Sequence, residues 1–263
     1  MTSTHILRVQ WSALLLWAFV PTTLKADAIP AQVEATQAAH GIEAWWGKEA
    51  MQADVEIIFG GKVAVDGTFT FEAHGPRSRY DRRDGVSIIF DGETAWVSPA
   101  DAVAPRGRFH VLTWPWFIFT PFKMQGEGIT LSDYTVETVD GVDYETMKQT
   151  FANDMGDAPD DWYRFYIHPE TELIDAMSYI VTYGKGPEAE LSPSIIYYQD
   201  YADVDGPVIA TRYEFWLWDA ETKTKLGEKP KATGVVSKFS YPSLGEVDFR
   251  VPVDARELKL ARE

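Results

Sequence analysis

The sequence contains no cysteine, so disulfides and a thiol nucleophile are both excluded, and stability has to come from a packed core. Positive charge is scarce: 24 Lys and Arg stand against 40 Asp and Glu, a formal net charge of -16. That balance argues against nucleic acid or an anionic membrane surface as the main partner. Catalytic signatures are missing too. There is no HExxH, no G-x-S-x-G, no P-loop and no G-x-G-x-x-G. The histidines beyond the first thirty residues, His40, His74, His110 and His168, stand far apart, without metal-ligand spacing. No catalytic residue, metal or cofactor is expected.

Long hydrophobic runs are also lacking. The N-terminal run "WSALLLWAFV" follows a weakly basic start (His5, Arg8) and precedes the small-x-small pattern Ala26-Asp27-Ala28. Ten residues are too few to span a bilayer, and the layout is that of a secretory signal peptide over residues 1–28. Its removal takes away Arg8, Lys25 and Asp27, a net +1, leaving -16 - 1 = -17 on a periplasmic or secreted chain. Residues 29–263 then read as one domain, large enough for its own core, with no linker and an expected monomeric state.

Ala31–Trp46 reads as a helix with apolar points at Val33, Ala39 and Trp46 and a possible break at His40-Gly41. From Asp54 the hydrophobic period becomes two. Ile209, Thr211, Tyr213, Phe215 and Leu217 share one strand face; so do Tyr163, Phe165 and Ile167, and Met177, Tyr179, Val181 and Tyr183. Asp-Gly occurs at 66–67, 84–85, 91–92, 140–141 and 205–206, each a hairpin candidate, and "HPETE" (His168–Glu172) reads as another turn. About a dozen strands joined by short connections make an antiparallel meander, a mainly β fold. A sheet of that length has to curl, close or split into two layers.

The greasiest segment is "TWPWFIFTPFKMQGEG", Thr113–Gly128, with two tryptophans and three phenylalanines in ten residues. Thr113 is a candidate cap, Pro115 fits a first helical turn and Pro121 ends the helix after roughly one and a half turns. Such a helix is apolar on every side and needs cover on every side. It is either a plug in the core or a lid over an apolar ligand, with Gly126 and Gly128 as hinges.

Three stretches resemble the LolA/LolB type of periplasmic lipoprotein carriers and the wider group of LolA-like exported proteins. They are "GTFTFEAHGPRSRYDRRDGVSIIFDGETAWVSP" (Gly67–Pro99), "TPFKM" (Thr120–Met124) and "VDFRVPVDARE" (Val247–Glu257). The family's arginine before the proline is replaced here by Gly75, and the nearest arginines are Arg77 and Arg79. The resemblance implies an incomplete, strongly curved antiparallel half-barrel, with an N-terminal helix and an aromatic lid helix over an acyl-chain cavity. It also implies an exported carrier of a lipid or lipoprotein acyl chain, served by a membrane-associated donor or acceptor protein. The expected lid residues are Trp114, Trp116, Phe117, Phe119, Phe122 and Met124. Phe71, Phe90 and Trp96 are expected on the cavity wall, and Arg77 and Arg79 at its mouth.

Three further features carry alternatives. The cluster Arg77, Arg79, Arg82 and Arg83 either meets an anionic headgroup or keeps an exposed hairpin soluble. The acidic loop "NDMGDAPDD" (Asp154, Asp157, Asp160, Asp161) either holds calcium with its hard oxygen ligands or, since its order does not follow the EF-hand pattern, is a solvated loop. A protein- or glycan-docking module using Trp216 and Trp218, or a hydrolase with an unrecognised site, are the rival functions.

Overall fold

The computed structural model describes residues 30–153 and 155–260. The expected signal peptide, residues 1–28, and Asp154 of the acidic loop lie outside the described residues. Two short helices, α1 (Ala31–Ala39) and α2 (Ile42–Trp46), lead into strands β1 (Ala50–Phe59), β2 (Lys62–Glu72), β3 (Ser78–Arg82), β4 (Ser87–Phe90) and β5 (Ala95–Ser98). Helix α3 (Gly107–Ile118) and a 3-10 turn at Thr120–Lys123 follow. The chain then returns as β6 (Ile129–Val139), β7 (Val142–Phe151), β8 (Trp162–Ile167), β9 (Ile174–Tyr179), β10 (Ser194–Asp203) and β11 (Val208–Asp219). It closes with β12 (Thr224–Leu226), β13 (Ala232–Ser240) and β14 (Arg256–Glu257).

The 14 strands among the described residues join one antiparallel sheet in the order β14-β5-β4-β3-β2-β1-β13-β11-β10-β9-β8-β7-β6, with β12 beside β11. β14 and β6 are its two edges, so the sheet curls without closing into a barrel, a half-open form. The helices cover one face. On β8, Phe165 and Ile167 enter the main core on that inner face, while Tyr166 enters a smaller outer cluster with Tyr144, Ile195 and Trp218.

The predicted N-terminal helix is present and broken where expected. Gly41 takes a left-handed φ of 74° between α1 and α2. A Cβ there would lie 2.3 Å from the carbonyl oxygen of Gly206, so the kink seats directly on the β10–β11 turn. Val33, Thr36, Gln37 and His40 form the buried stripe, and Trp45 rather than Trp46 is the buried tryptophan; Trp46 is 63% exposed.

Four of the five Asp-Gly pairs sit in hairpin turns. At β6–β7, Asp140 and Gly141 both have positive φ, 50° and 82°, as a tight turn requires. The pair at 66–67 does not turn. Gly67 lies mid-strand between Val55 and Arg82, and a Cβ would meet the Asp81 carbonyl oxygen at 2.2 Å. It permits a close strand approach, while Gly60 and Gly61 make the β1–β2 turn. On β11, Ile209, Tyr213 and Phe215 are buried as their shared face requires, but Leu217 is 45% exposed.

Helix α3 starts six residues before Thr113, so Thr113 is no cap and Pro115 lies inside the helix. An interior proline cannot donate to the carbonyl four residues back, here that of Val111. Ser78 on β3 donates its hydroxyl to that oxygen at 2.7 Å. At the C-terminal end, Thr120 donates to the Trp116 carbonyl at 2.6 Å and Tyr198 to that of Phe117 at 3.1 Å. Side chains of other elements thus satisfy the carbonyls that the prolines and the helix end leave open.

Candidate functional site

Helix α3 has two apolar stripes. Gly107, Val111, Trp114 and Ile118 face the sheet and are buried. Phe109, Leu112 and Trp116, at helical spacing, face away from it and are only half-buried. That second stripe forms one wall of a cleft of about 760 Å³. Phe71 and Phe90, at the ends of β2 and β4, line the cleft, as do Phe122, Phe151 and Tyr163.

The expected lid residues therefore divide. Trp116 and Phe122 reach the cleft. Trp114, Phe117, Phe119 and Met124 are buried in the main core and do not line it. Trp114 and Phe117 meet edge to face at 5.8 Å, and Phe119 packs on Phe71 at 4.4 Å. Trp45 stacks on Phe119 at 5.1 Å and on Phe122 at 4.5 Å, tying the N-terminal helices to this cluster. The segment is a core plug along one side and a cleft wall along the other.

Two wall and mouth expectations fail on strand register. Ala95 and Val97 of β5 turn to the core, so Trp96 points to the outer face and donates its indole N–H to Asp91 at 2.8 Å. Arg79 likewise alternates outward between the buried Ser78 and Tyr80, and pairs with Asp81 at 2.6 Å. Arg77 does line the cleft mouth. It bonds Glu72 through two nitrogens at 2.9 and 2.5 Å and stands 5.0 Å from the centroid of the Phe249 ring. Arg82 pairs with Asp84, and Arg83 with Asp54 and Asp66. The arginine cluster is neutralised within its own hairpins.

Sequence reasoning missed several residues that shape the site. Gln149 of β7 donates to the carbonyls of Lys123 and Met124, at 2.8 and 3.2 Å, and fixes the backbone of the cleft wall. Gln37 of α1 donates to the Pro121 carbonyl and accepts from Gln125. Lys123 projects its ammonium to within 5.3 Å of the centroid of the Trp116 ring. Desolvation by burial lowers its pKa to about 8. Asp161 also lines the cleft, and burial raises its pKa to about 6, although its carboxylate accepts from both N–H and hydroxyl of Thr182. No periodicity marks such residues, because each acts through a contact distant in the chain. At the rim, Trp46 stacks on His74 with centroids 5.2 Å apart.

Among the described residues no group of three or more His, Asp or Glu could hold a metal ion. In the acidic loop, Asp157 is instead bound by Arg108 at 2.5 and 2.7 Å. No helix among the described residues is long and apolar enough to cross a membrane.

In sequence, residues 111–196 match a family of unknown function, DUF6503, over a third of the chain. No curated protein matches. In fold, the chain is similar to a LolA superfamily protein from Nitrosomonas europaea, at 13% identity and a TM-score of 0.49, covering 81% of this chain and 93% of that one. It is also similar to a putative outer membrane lipoprotein-sorting protein domain from Vibrio parahaemolyticus, at 10% identity and a TM-score of 0.48, covering 83% and 93%. A DUF1329 family protein from Desulfovibrio piger gives 13% identity and a TM-score of 0.40, covering 80% and 92%. At such identities no function passes to this chain, and function is argued from the cleft's own residues.

Proposed function

We propose that this protein is an exported carrier that holds the acyl chain of a lipid or lipidated ligand in the α3 cleft. The observation that carries the reading is the half-buried apolar stripe Phe109, Leu112 and Trp116 lining a cleft of about 760 Å³. Apolar surface left open beside a concavity of several hundred cubic ångström is the usual form of a ligand site. A chain of 14 methylenes buried there gains roughly 11 kcal/mol, at about 0.8 kcal/mol each. Association costs about 4–15 kcal/mol. The balance is a modest, reversible affinity, which suits a carrier that loads and unloads, with a membrane-associated protein as donor or acceptor.

The rival readings find less support. Trp218 is 2% exposed and Trp216 is half-buried, with its indole N–H on Glu214, so these two do not form a docking pair. A hydrolase needs a nucleophile and its base in an accessible cleft. Lys231 does donate to the Ser194 hydroxyl, but Ser194 is 6% exposed and neither residue lines the α3 cleft.

The test is native mass spectrometry with organic extraction on protein purified from a periplasm or culture medium. Near-stoichiometric lipid that is lost when Leu112 and Trp116 are both changed to Ser supports the proposal. A clean apo mass, together with no uptake of fluorescent fatty acids, removes it.

A further inference from the structure

We infer that the ligand of the α3 cleft carries a free anionic headgroup, a carboxylate or a phosphate monoester, and that Lys123 is the residue that receives it. This rests on the reading of the cleft as an acyl-chain site.

The cleft wall holds one arginine and one lysine, Arg77 and Lys123, and they differ in their surroundings. Arg77 is paired with Glu72, whose carboxylate accepts from two of its guanidinium nitrogens. Lys123 has no carboxylate within 4.0 Å among the described residues, and its ammonium rests beside the Trp116 ring. The other charged groups around the cleft are engaged or remote in chemistry. Asp157 is held by Arg108, Asp161 is turned to Thr182, His74 stacks on Trp46, and Glu127 is exposed at the rim.

An ammonium drawn out of water without a counter-ion is unfavourable, and the lowered pKa of Lys123 expresses that cost. An anion at its head would remove the cost while the chain lies along Leu112, Trp116 and Phe151. The geometry is fixed in advance, because Gln149 holds the Lys123 carbonyl and Trp116 packs edge-on against Phe151 at 5.3 Å. An ester or amide, as on a fully acylated lipoprotein, offers no charge to this group. The inference thus separates free fatty acids and alkyl phosphates from neutral acyl ligands.

The test titrates the full mature chain with laurate, dodecyl phosphate and methyl laurate, reading tryptophan fluorescence and calorimetric heat. One charge-assisted hydrogen bond predicts an anion preference of about 10- to 100-fold over the methyl ester. Lys123→Met is expected to bring that ratio to about one, and Lys123→Arg to keep it. Preference for laurate alone, or for dodecyl phosphate alone, supports the inference and identifies the source of the anion. Equal binding of acid and ester by the unaltered protein overturns it, as does a ratio that survives Lys123→Met. If Lys123→Met does not fold, the acid-to-ester comparison in the unaltered chain decides alone. Failure of all three ligands to bind removes the acyl-chain reading itself, a result distinct from equal binding.

Discussion

His40 offers the sharpest test of how this fold is held. It lies in the kink between α1 and α2, is 0% exposed, and bridges two strands that are far from it in sequence. Its Nδ1 donates to the Val208 carbonyl at 2.9 Å, and its Nε2 accepts the Ile174 backbone N–H at 3.1 Å. Only the neutral ring with the proton on Nδ1 serves both partners, and burial accordingly lowers the pKa from 6.5 to about 4. The unfolded chain therefore binds the proton first. The stabilisation is complete above pH 6.5 and is lost as pH falls toward 4, amounting to roughly 2.5 kcal/mol by pH 4.5. Replacing His40 by Leu leaves one buried donor and one buried acceptor unmatched, a loss of about 2–6 kcal/mol at pH 7.5. The assay is urea unfolding followed by tryptophan fluorescence, for both proteins at pH 7.5 and 4.5. The difference between them should shrink by roughly 2.5 kcal/mol on acidification, since only the unaltered protein loses the histidine contribution. The variant also cancels the opposing effect of Asp161. Its pKa is raised to about 6 by burial, so it adds stability as pH falls, equally in both proteins. A difference that stays constant between the two pH values would refute the neutral-bridge argument.

Ser78→Ala orphans the Val111 carbonyl that Pro115 leaves open, and should cost about 1–3 kcal/mol in the same urea assay, with the helical signal in circular dichroism retained. Gly41→Ala places a methyl group against the Gly206 carbonyl at a left-handed φ; thermal melting should show a larger loss than Gly61→Ala, which also has a positive φ but meets nothing within 4 Å. Trp218→Phe removes a buried indole N–H that has no partner among the described residues, so stability should change by less than about 1 kcal/mol, well below the roughly 3–5 kcal/mol expected of Trp218→Ala.

The β organisation was legible because period-two patterns and Asp-Gly turns are local signals. Tyr163, Phe165 and Ile167 share their face as the pattern demands, and the turn at 140–141 has the positive φ values its residues favour. The failures follow from contacts that are not local. Gly67 is required by the neighbouring strand rather than by a turn. Pro115 sits inside a helix because Ser78, on a different element, satisfies the carbonyl it exposes. Among the candidate cleft residues, composition identified the aromatic segment, but only the phase of α3 separates Trp116 on the cleft from Trp114 in the core. Trp96 and Arg79 were misplaced for a related reason, since one step of strand register reverses the face a side chain takes. Lys123 carries no pattern at all; that it has no carboxylate partner among the described residues becomes visible only in the folded arrangement.

The place of β13 in the sheet has a consequence for how the chain reaches this form. Residues 232–240 lie between β1 and β11, and join the early strands to the late ones by pairing with both. Until they are available, β1–β5 and β6–β11 are two separate meanders, each with a bare inner edge. Assembly of the whole sheet therefore waits on a segment made after the first twelve strands, and contacts of such long sequence separation form slowly. A chain emerging from a ribosome stays unsealed until those residues have appeared, with both meanders open along one edge until it locks.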